Sequence, residues 1–323
     1  MNNIKLKRKH HFIPQTHLAN FTKDGTINSR LWVFDSLNGG QWESKIREVA
    51  HKRDLYRVDY PEVKPDIFED IFGEIEDKVG PIIRGICDKL LMPMSDDYIW
   101  LMNYIALLAE RTPARREVIS KPMEELQKLF IEMDTSASEY HKTIMKEIYE
   151  KGADIDNISY EEHRKVTFED EHSIRLDNNT HMKNLLTAID AIIPFLIDRN
   201  WSVVYCPPTL GDFICSDNPV SLHWVEDKDR GIYSSPGYGL MGTEVSIPLS
   251  SRVMLLGRFE QVHPVSGIIP SRRTLAILNS YTGMFCDMFI FSSKNDFFWY
   301  TAKNKIGNIR DFKQIVKEEA ESK

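Results

Sequence analysis

Three histidines, His10, His11 and His17, stand within eight residues near the start of the chain, beside Lys9 and Gln15. An imidazole can serve as acid, base or metal ligand near neutral pH. The spacing matches no standard metal motif such as HExxH, so a metal here would need ligands from elsewhere in the chain. Pro14 suits the first turn of a short helix running through Leu18 and Phe21, with the residue before it extended. His11 then sits at the entry to that helix, near free backbone N–H groups. That makes it the candidate general acid or base, against the plainer reading of a helix cap or core filler.

Three further groups could join it. Glu69 and Glu76 are seven residues apart, almost in register on one helix face, with Asp77 adjacent. Such a pair could hold a divalent cation such as Mg or Mn through oxygen ligands, or could be a solvated acidic face. Arg111 and Arg115, four apart around Thr112-Pro113, project together if the helix continues past the proline. Two guanidinium groups there suit a phosphate or carboxylate, or salt bridges to the acidic helix. The run Cys215-Ser216-Asp217-Asn218-Pro219 follows a strand. Asp217 could be a metal ligand, a base or the orienter of a histidine; the alternative is an Asx-type turn. Gln15 and Asn218 join the arginines as candidate substrate-binding groups. GxSxG, Walker and GxGxxG patterns are missing, which removes several common enzyme classes.

The elements that must position these residues can be read from periodicity. Residues 31–35 read as a strand, Asn38-Gly39-Gly40 as a turn into another, and residues 54–58 as a third. From Pro65, Ile67, Ile71, Ile75, Val79, Ile82, Ile83 and Ile86 recur at helical spacing, about six turns. A second helix begins at Ser95 as a candidate cap and ends near Arg111, and a third runs from Arg115 to about Tyr149. Residues 151–177 are polar and irregular, a loop or insertion. Helix returns over 180–198 with Leu185, Leu186, Ile189, Ile192 and Ile193 inward. The last third reads as strands at 201–205, 213–215, 245–247, 253–256 and 288–291. A helix is expected from Ser271 to about Phe285, and a glycine-rich loop over 231–242. The expectation is an α+β fold over residues 1–323 as one large domain. Its helix-rich centre packs with a mostly antiparallel sheet drawn from both ends of the chain.

Composition sets bounds. With 41 Lys and Arg against 48 Asp and Glu, the formal charge is −7, which argues against coating nucleic acid through a general positive field. Lys5, Lys7, Arg8 and Lys9 still form a local basic patch. The four cysteines form no CxxC pair, so neither a zinc finger nor a disulfide framework is expected. The basic start lacks a following apolar stretch and no 18-residue apolar run exists, so no membrane contact and a cytoplasmic location are expected.

Together the motifs resemble the DUF4238 family, bacterial proteins of unknown function. The segment from Lys9 to Phe21 resembles the family's opening: a basic residue, His, an aromatic, an aliphatic and Pro-Gln. Thr16 and His17 stand where an aromatic pair is usual, which singles out His11 as the family's histidine position. The acidic helix, the Arg-Thr-Pro element from Arg111 to Arg115, Ser-Asp-Asn-Pro over 216–219, Ile247-Pro248-Leu249-Ser250 and the late helical Asn279 are similar too, so the resemblance spans roughly residues 8–292. It implies membership and little chemistry. The chemistry expected from the residues themselves is a metal-dependent hydrolase or nuclease acting on a phosphate-containing substrate, in bacterial defence. His11, Glu76 and Asp217 would be catalytic, with Glu69, Glu76 and Asp217 as metal ligands and the arginines on phosphate. The partner would be nucleic acid or a nucleotide. The alternative is a non-catalytic ligand-binding or sensing protein of a bacterial stress or phage-defence system. What separates the two is whether His11, Glu76, Arg111, Arg115 and Asp217 converge on one cleft.

Overall fold

Apolar residues at helical spacing in the middle of the chain, and alternating residues toward its ends, give an α+β structure. It is a computed structural model that describes residues 6–134, 176–226, 235–260, 266–300 and 305–312, with positions 143 and 146. The first part holds β1 (Lys9–His11), α1 (Gln15–Ala19), β2 (Arg30–Asp35), β3 (Gln41–Lys45) and β4 (His51–Arg53). The helical centre is α2 (Ile67–Lys89), α3 (Ser95–Glu110), α4 (Pro113–Asp134) and α5 (Asn178–Ile197). The rest is β5 (Asn200–Tyr205), β6 (Cys215–Ser216), β7 (Ser221–Trp224), β8 (Thr243–Pro248), β9 (Val253–Arg258), β10 (Ser266–Ile268), α6 (Arg272–Met284), β11 (Phe289–Ser292), β12 (Trp299–Tyr300) and β13 (Ile306–Gly307).

Two larger sheets result. A four-stranded antiparallel sheet, β3-β2-β11-β6, joins the two ends of the chain, while β10-β5-β9-β8-β7 is antiparallel except for the parallel pair β10–β5. Helices α2, α3 and α5 pack through Val79, Ile83, Leu101, Ile105, Leu108 and Leu196 onto the inner face of the five-stranded sheet, at Val203, Leu222, Val245, Ile247 and Leu255. A second core, of Phe12, Ile13, Leu18 and Phe21 with Val33, Phe72 and Phe291, seats the N-terminal segment on the four-stranded sheet. Among the described residues, no helix is long and apolar enough to cross a membrane.

The structure corrects several sequence expectations. The third N-terminal strand is His51–Arg53; Asp54 turns the chain at φ 54°, while its N–H closes the β1–β4 ladder on the Arg8 carbonyl. Ser95 caps nothing through its side chain and has φ 55°. Leu186 faces solvent, whereas Leu185 and Ile192 are buried. The strand expected over 213–215 pairs only at Cys215 and Ser216. Helix α3 ends before Pro113 and α4 starts at it, so the two helices are not continuous and Arg111 and Arg115 diverge. Most of 151–177, the end of the helix expected to reach Tyr149, and 231–234 lie outside the described residues.

Candidate ligand-binding cleft

Residues opposite one another across a sheet share a face, and here one such row is apolar. Trp42, Val33, Phe291 and Cys215 are successive partners across β3, β2, β11 and β6. Over this face lie the β1–β4 ribbon, with Phe12 N–H donating to the Ala50 carbonyl at 2.9 Å, and the first turn of α4. Between them is a cleft of about 420 Å³ with Phe12, Trp42, Phe289 and Phe291 in its walls. Its polar lining comes from Glu48, His51, Lys52, Glu117, Asp217 and Asp287. Trp42 is 42 % exposed and meets the Phe289 ring edge-on at 5.9 Å between centroids. Thr112 caps α4 by accepting the Arg115 N–H at 3.3 Å, which fixes the helix start against the cleft.

Asp217, only 5 % exposed, is the deepest polar group of the cleft. Its Oδ1 accepts the N–H of Asp287 at 2.8 Å, and its Oδ2 accepts those of Met288 at 2.7 Å and Phe289 at 2.8 Å. The local turn is made instead by Ser216, whose hydroxyl donates to the Asn218 carbonyl at 2.8 Å. The Asx-type turn considered for Asp217 is therefore replaced by a clamp on the entry to β11. Burial lifts the Asp217 carboxyl to about 6, against the downward pull of the three amides.

Behind Phe12 runs a buried network. Arg111 Nε donates to the Phe12 carbonyl at 2.7 Å, and Nη1 pairs with Glu76 Oε1 at 2.9 Å. The Tyr56 hydroxyl donates to the Arg111 carbonyl at 2.8 Å. Burial pushes the Arg111 guanidinium down, but Glu76 and the other groups around it outweigh this and its pKa is raised, so it stays charged. Glu69 faces the same network. Its carboxyl rises to about 7, mainly through burial and with help from Glu76, despite the opposing pull of Arg111. His10 Nδ1 lies 3.9 Å from Glu69 but accepts the Tyr56 N–H at 2.8 Å, and its Nε2 donates to the Lys7 carbonyl at 3.0 Å. With both ring nitrogens so engaged, the Glu69 contact is not an ion pair.

The raised Glu69 carboxyl sets a pH dependence. Its folded value lies above the ordinary 4.5, so the folded state binds the proton more tightly than the unfolded one. The stability this adds is complete below pH 4.5 and is lost as pH rises through about 7. Glutamine mimics the protonated form, so Glu69→Gln should gain stability relative to the parent between those values. Urea midpoints of both proteins at pH 5, 6, 7 and 8 measure the difference, and a flat difference would contradict the assignment.

The structure thus brings three of the four motif segments to one cleft, largely through residues other than those singled out from sequence. Asp217 lines it. From the opening motif comes Phe12, while His11 lies in β1 opposite His51, with Nε2 3.4 Å from the Arg47 carbonyl. His11 is therefore not at the helix entry, and burial lowers it to about 4. His17 is buried against the Tyr104 hydroxyl at 3.2 Å and is likewise lowered to about 4 by burial. From the arginine motif come Pro113 and Ala114, with Glu117 just beyond it, while Arg115 is paired with Glu110 at 3.1 Å. Gln15 and Asn218 do not line the cleft. Glu69 and Glu76 face the Arg111 side, and among the described residues no three His, Cys, Asp or Glu side chains stand together to hold a metal. Lys7, Arg8 and Lys9 each pair with an acid, namely Asp70, Asp54 and Glu48, so that part of the basic arm is locally neutralised; Lys5 lies outside the described residues.

Sequence reading missed Trp42, His51, Lys52 and Phe289. The available signal for Trp42 was a large aromatic in an otherwise polar short strand after Gly39-Gly40. His51 becomes visible only once His11 has a strand partner.

A family model described as a protein of unknown function (DUF4238) matches residues 9–296, so the chain belongs to that family. Comparisons with curated proteins and with solved structures find no match.

Proposed function

We propose that this DUF4238 member is a ligand-binding protein whose cleft takes a small molecule with a flat aromatic ring and a hydrogen-bond-donating edge, of the nucleoside or nucleotide class. The observation that carries the reading is the convergence of three family motifs on one cleft with aromatic walls and a near-buried carboxyl. Its volume suits a small molecule rather than a polymer. A ring would stack on the exposed face of Trp42 and direct amino or imino groups toward Asp217 and Asp287. Lys52, at the cleft's edge and without an acidic partner among the described residues, would meet a phosphate. The arginines expected on phosphate are already committed to Glu76 and Glu110, which favours binding over metal-assisted phosphoryl chemistry.

Stacking on an aromatic side chain is worth about 1–3 kcal/mol per base. Trp42→Ala should therefore weaken nucleoside or nucleotide binding by roughly 10- to 100-fold. Calorimetric titration with the four common nucleosides and their monophosphates tests this. Binding undiminished in Trp42→Ala, or no binding at millimolar concentration, would overturn the reading.

The hydrolase reading keeps one favouring observation, a cleft carboxyl raised to about 6 that can hold or release a proton near neutral pH. It predicts turnover of a bound nucleotide that Asp217→Asn abolishes while binding persists.

A further inference from the structure

A second cluster of charged and titratable side chains lies on the opposite side of the molecule's larger sheet from the helical core. Inward and outward positions alternate along β7, β8 and β9. Leu222, Val245 and Leu255 face the core, so His223, Glu244 and Arg258 face outward. These three are direct cross-strand partners, His223 opposite Glu244 and Glu244 opposite Arg258. Glu244 is almost fully buried and uses both oxygens, Oε1 toward His223 Nε2 at 3.2 Å and Oε2 toward Arg258 Nε. Helix α6 covers part of this face, and its Tyr281 ring stacks on His223 at 3.7 Å between centroids.

Between the sheet and α6 is a cavity of about 340 Å³. One part is apolar, formed by Val204, Leu256, Ile269 and Leu278, and the other holds His223, Glu244 and Arg258. The Arg258 side chain is 28 % exposed, and among the described residues neither of its terminal amino groups has an acceptor. Glu244 thus holds the guanidinium by its Nε side and leaves the end-on fork open. Within the same sheet–helix layer, His223 Nδ1, Ser246 Oγ and Thr282 Oγ1 are buried with no hydrogen-bond partner. Ser246 is on the outward face of β8 and Thr282 follows Tyr281 on α6. Of these three, His223 lines the cavity itself.

We infer that this cavity is a second ligand site, distinct from the Trp42 cleft, for a small amphipathic carboxylate. The apolar body fills the space between the sheet and α6, and the carboxylate takes the open fork of Arg258 in the end-on geometry that guanidinium offers to planar anions. Glu244 acts as a positioning residue. It fixes the guanidinium from beneath, with one oxygen engaged by His223 and the other by the Nε side of Arg258, away from the fork.

Octanoate is a suitable probe, with octanol and octylamine as head-group controls, titrated calorimetrically into the full chain. Octanoate should bind at least tenfold more tightly than either control. Arg258→Gln should weaken it by roughly 10- to 100-fold, as expected for loss of a charge-assisted hydrogen-bonding pair. Trp42→Ala, in the other cleft, should leave octanoate binding unchanged. Equal binding of octanoate and octanol, or no octanoate binding at millimolar concentration, overturns the inference. So does loss of octanoate binding in Trp42→Ala. The head-group comparison uses the parent protein, so it decides the matter even where Arg258→Gln fails to fold.

Discussion

Replacing Arg111 with methionine should destabilise the protein by about 3–5 kcal/mol, the usual effect of removing one partner from a buried ion pair. The substitution leaves Glu76 without its cation and the Phe12 carbonyl without its donor, in a site where the arginine side chain has no solvent exposure. Glu76→Gln should be milder, because Glu76 is 22 % exposed at its side chain and glutamine still offers an acceptor oxygen. The double variant Arg111→Met/Glu76→Leu strands neither charge and should recover part of the loss. Urea unfolding followed by tryptophan fluorescence supplies all three values. A midpoint unmoved in Arg111→Met would show that the pair contributes nothing and that Phe12 is held by packing alone.

Asp217→Ala should remove roughly 3 kcal/mol or more, since three main-chain N–H groups at the start of β11 lose their acceptor in a buried position. Amide exchange locates the effect, because protection should fall at Asp287, Met288 and Phe289 before it falls elsewhere. Asp217→Asn keeps one acceptor oxygen and should lose less. The pH sign follows from burial. The folded carboxyl, at about 6, lies above its ordinary 3.8, so its stabilising contribution is complete below about 4 and fades as pH rises through 6. Asp217→Asn removes that slope, so its deficit relative to the parent should shrink from pH 4 to pH 7. A deficit that grew with pH over that range would mean that the three amides, rather than burial, govern the carboxyl.

The fold was largely legible because its helices carry long apolar periodicities and its strands alternate. The isoleucine series from Ile67 to Ile86 gave α2, and Ser271 marked the start of α6, where its side chain accepts the Thr274 N–H. Short elements were not legible. β7 and β10 hold four and three residues, too few for a period to show, and β6 exists only because β11 pairs with it. The site was half legible. Asp217 was found because a polar turn after a strand sits at a sheet's end. The arginine motif was found but the direction of its two side chains was left open, because nothing local tells whether a helix resumes in line after Thr112-Pro113. Arg111 points inward because α3 ends and the chain turns before α4 begins. Trp42 and Phe289 needed the four-stranded sheet, which joins residues some 250 positions apart, as the Ser36 hydroxyl and the Met288 carbonyl show with a separation of 252, and His51 needed the pairing of β4 with β1.

The hydrogen bonds around Arg111 also bear on the order in which the chain can assemble. His10 holds the Tyr56 N–H, the Tyr56 hydroxyl holds the Arg111 carbonyl, and Arg111 reaches back to the Phe12 carbonyl. This is a closed circuit through three segments, with sequence separations of 46, 55 and 99 residues. On a ribosome this segment emerges well before its partners, since Arg111 follows Phe12 by 99 residues and Leu249, which accepts the Asn20 side-chain amide, follows Asn20 by 229. The core that buries Phe12, Ile13, Leu18 and Phe21 is likewise completed late, by Leu185, Cys215 and Phe291. The motif that names the family is therefore seated only by chain that is made long after it.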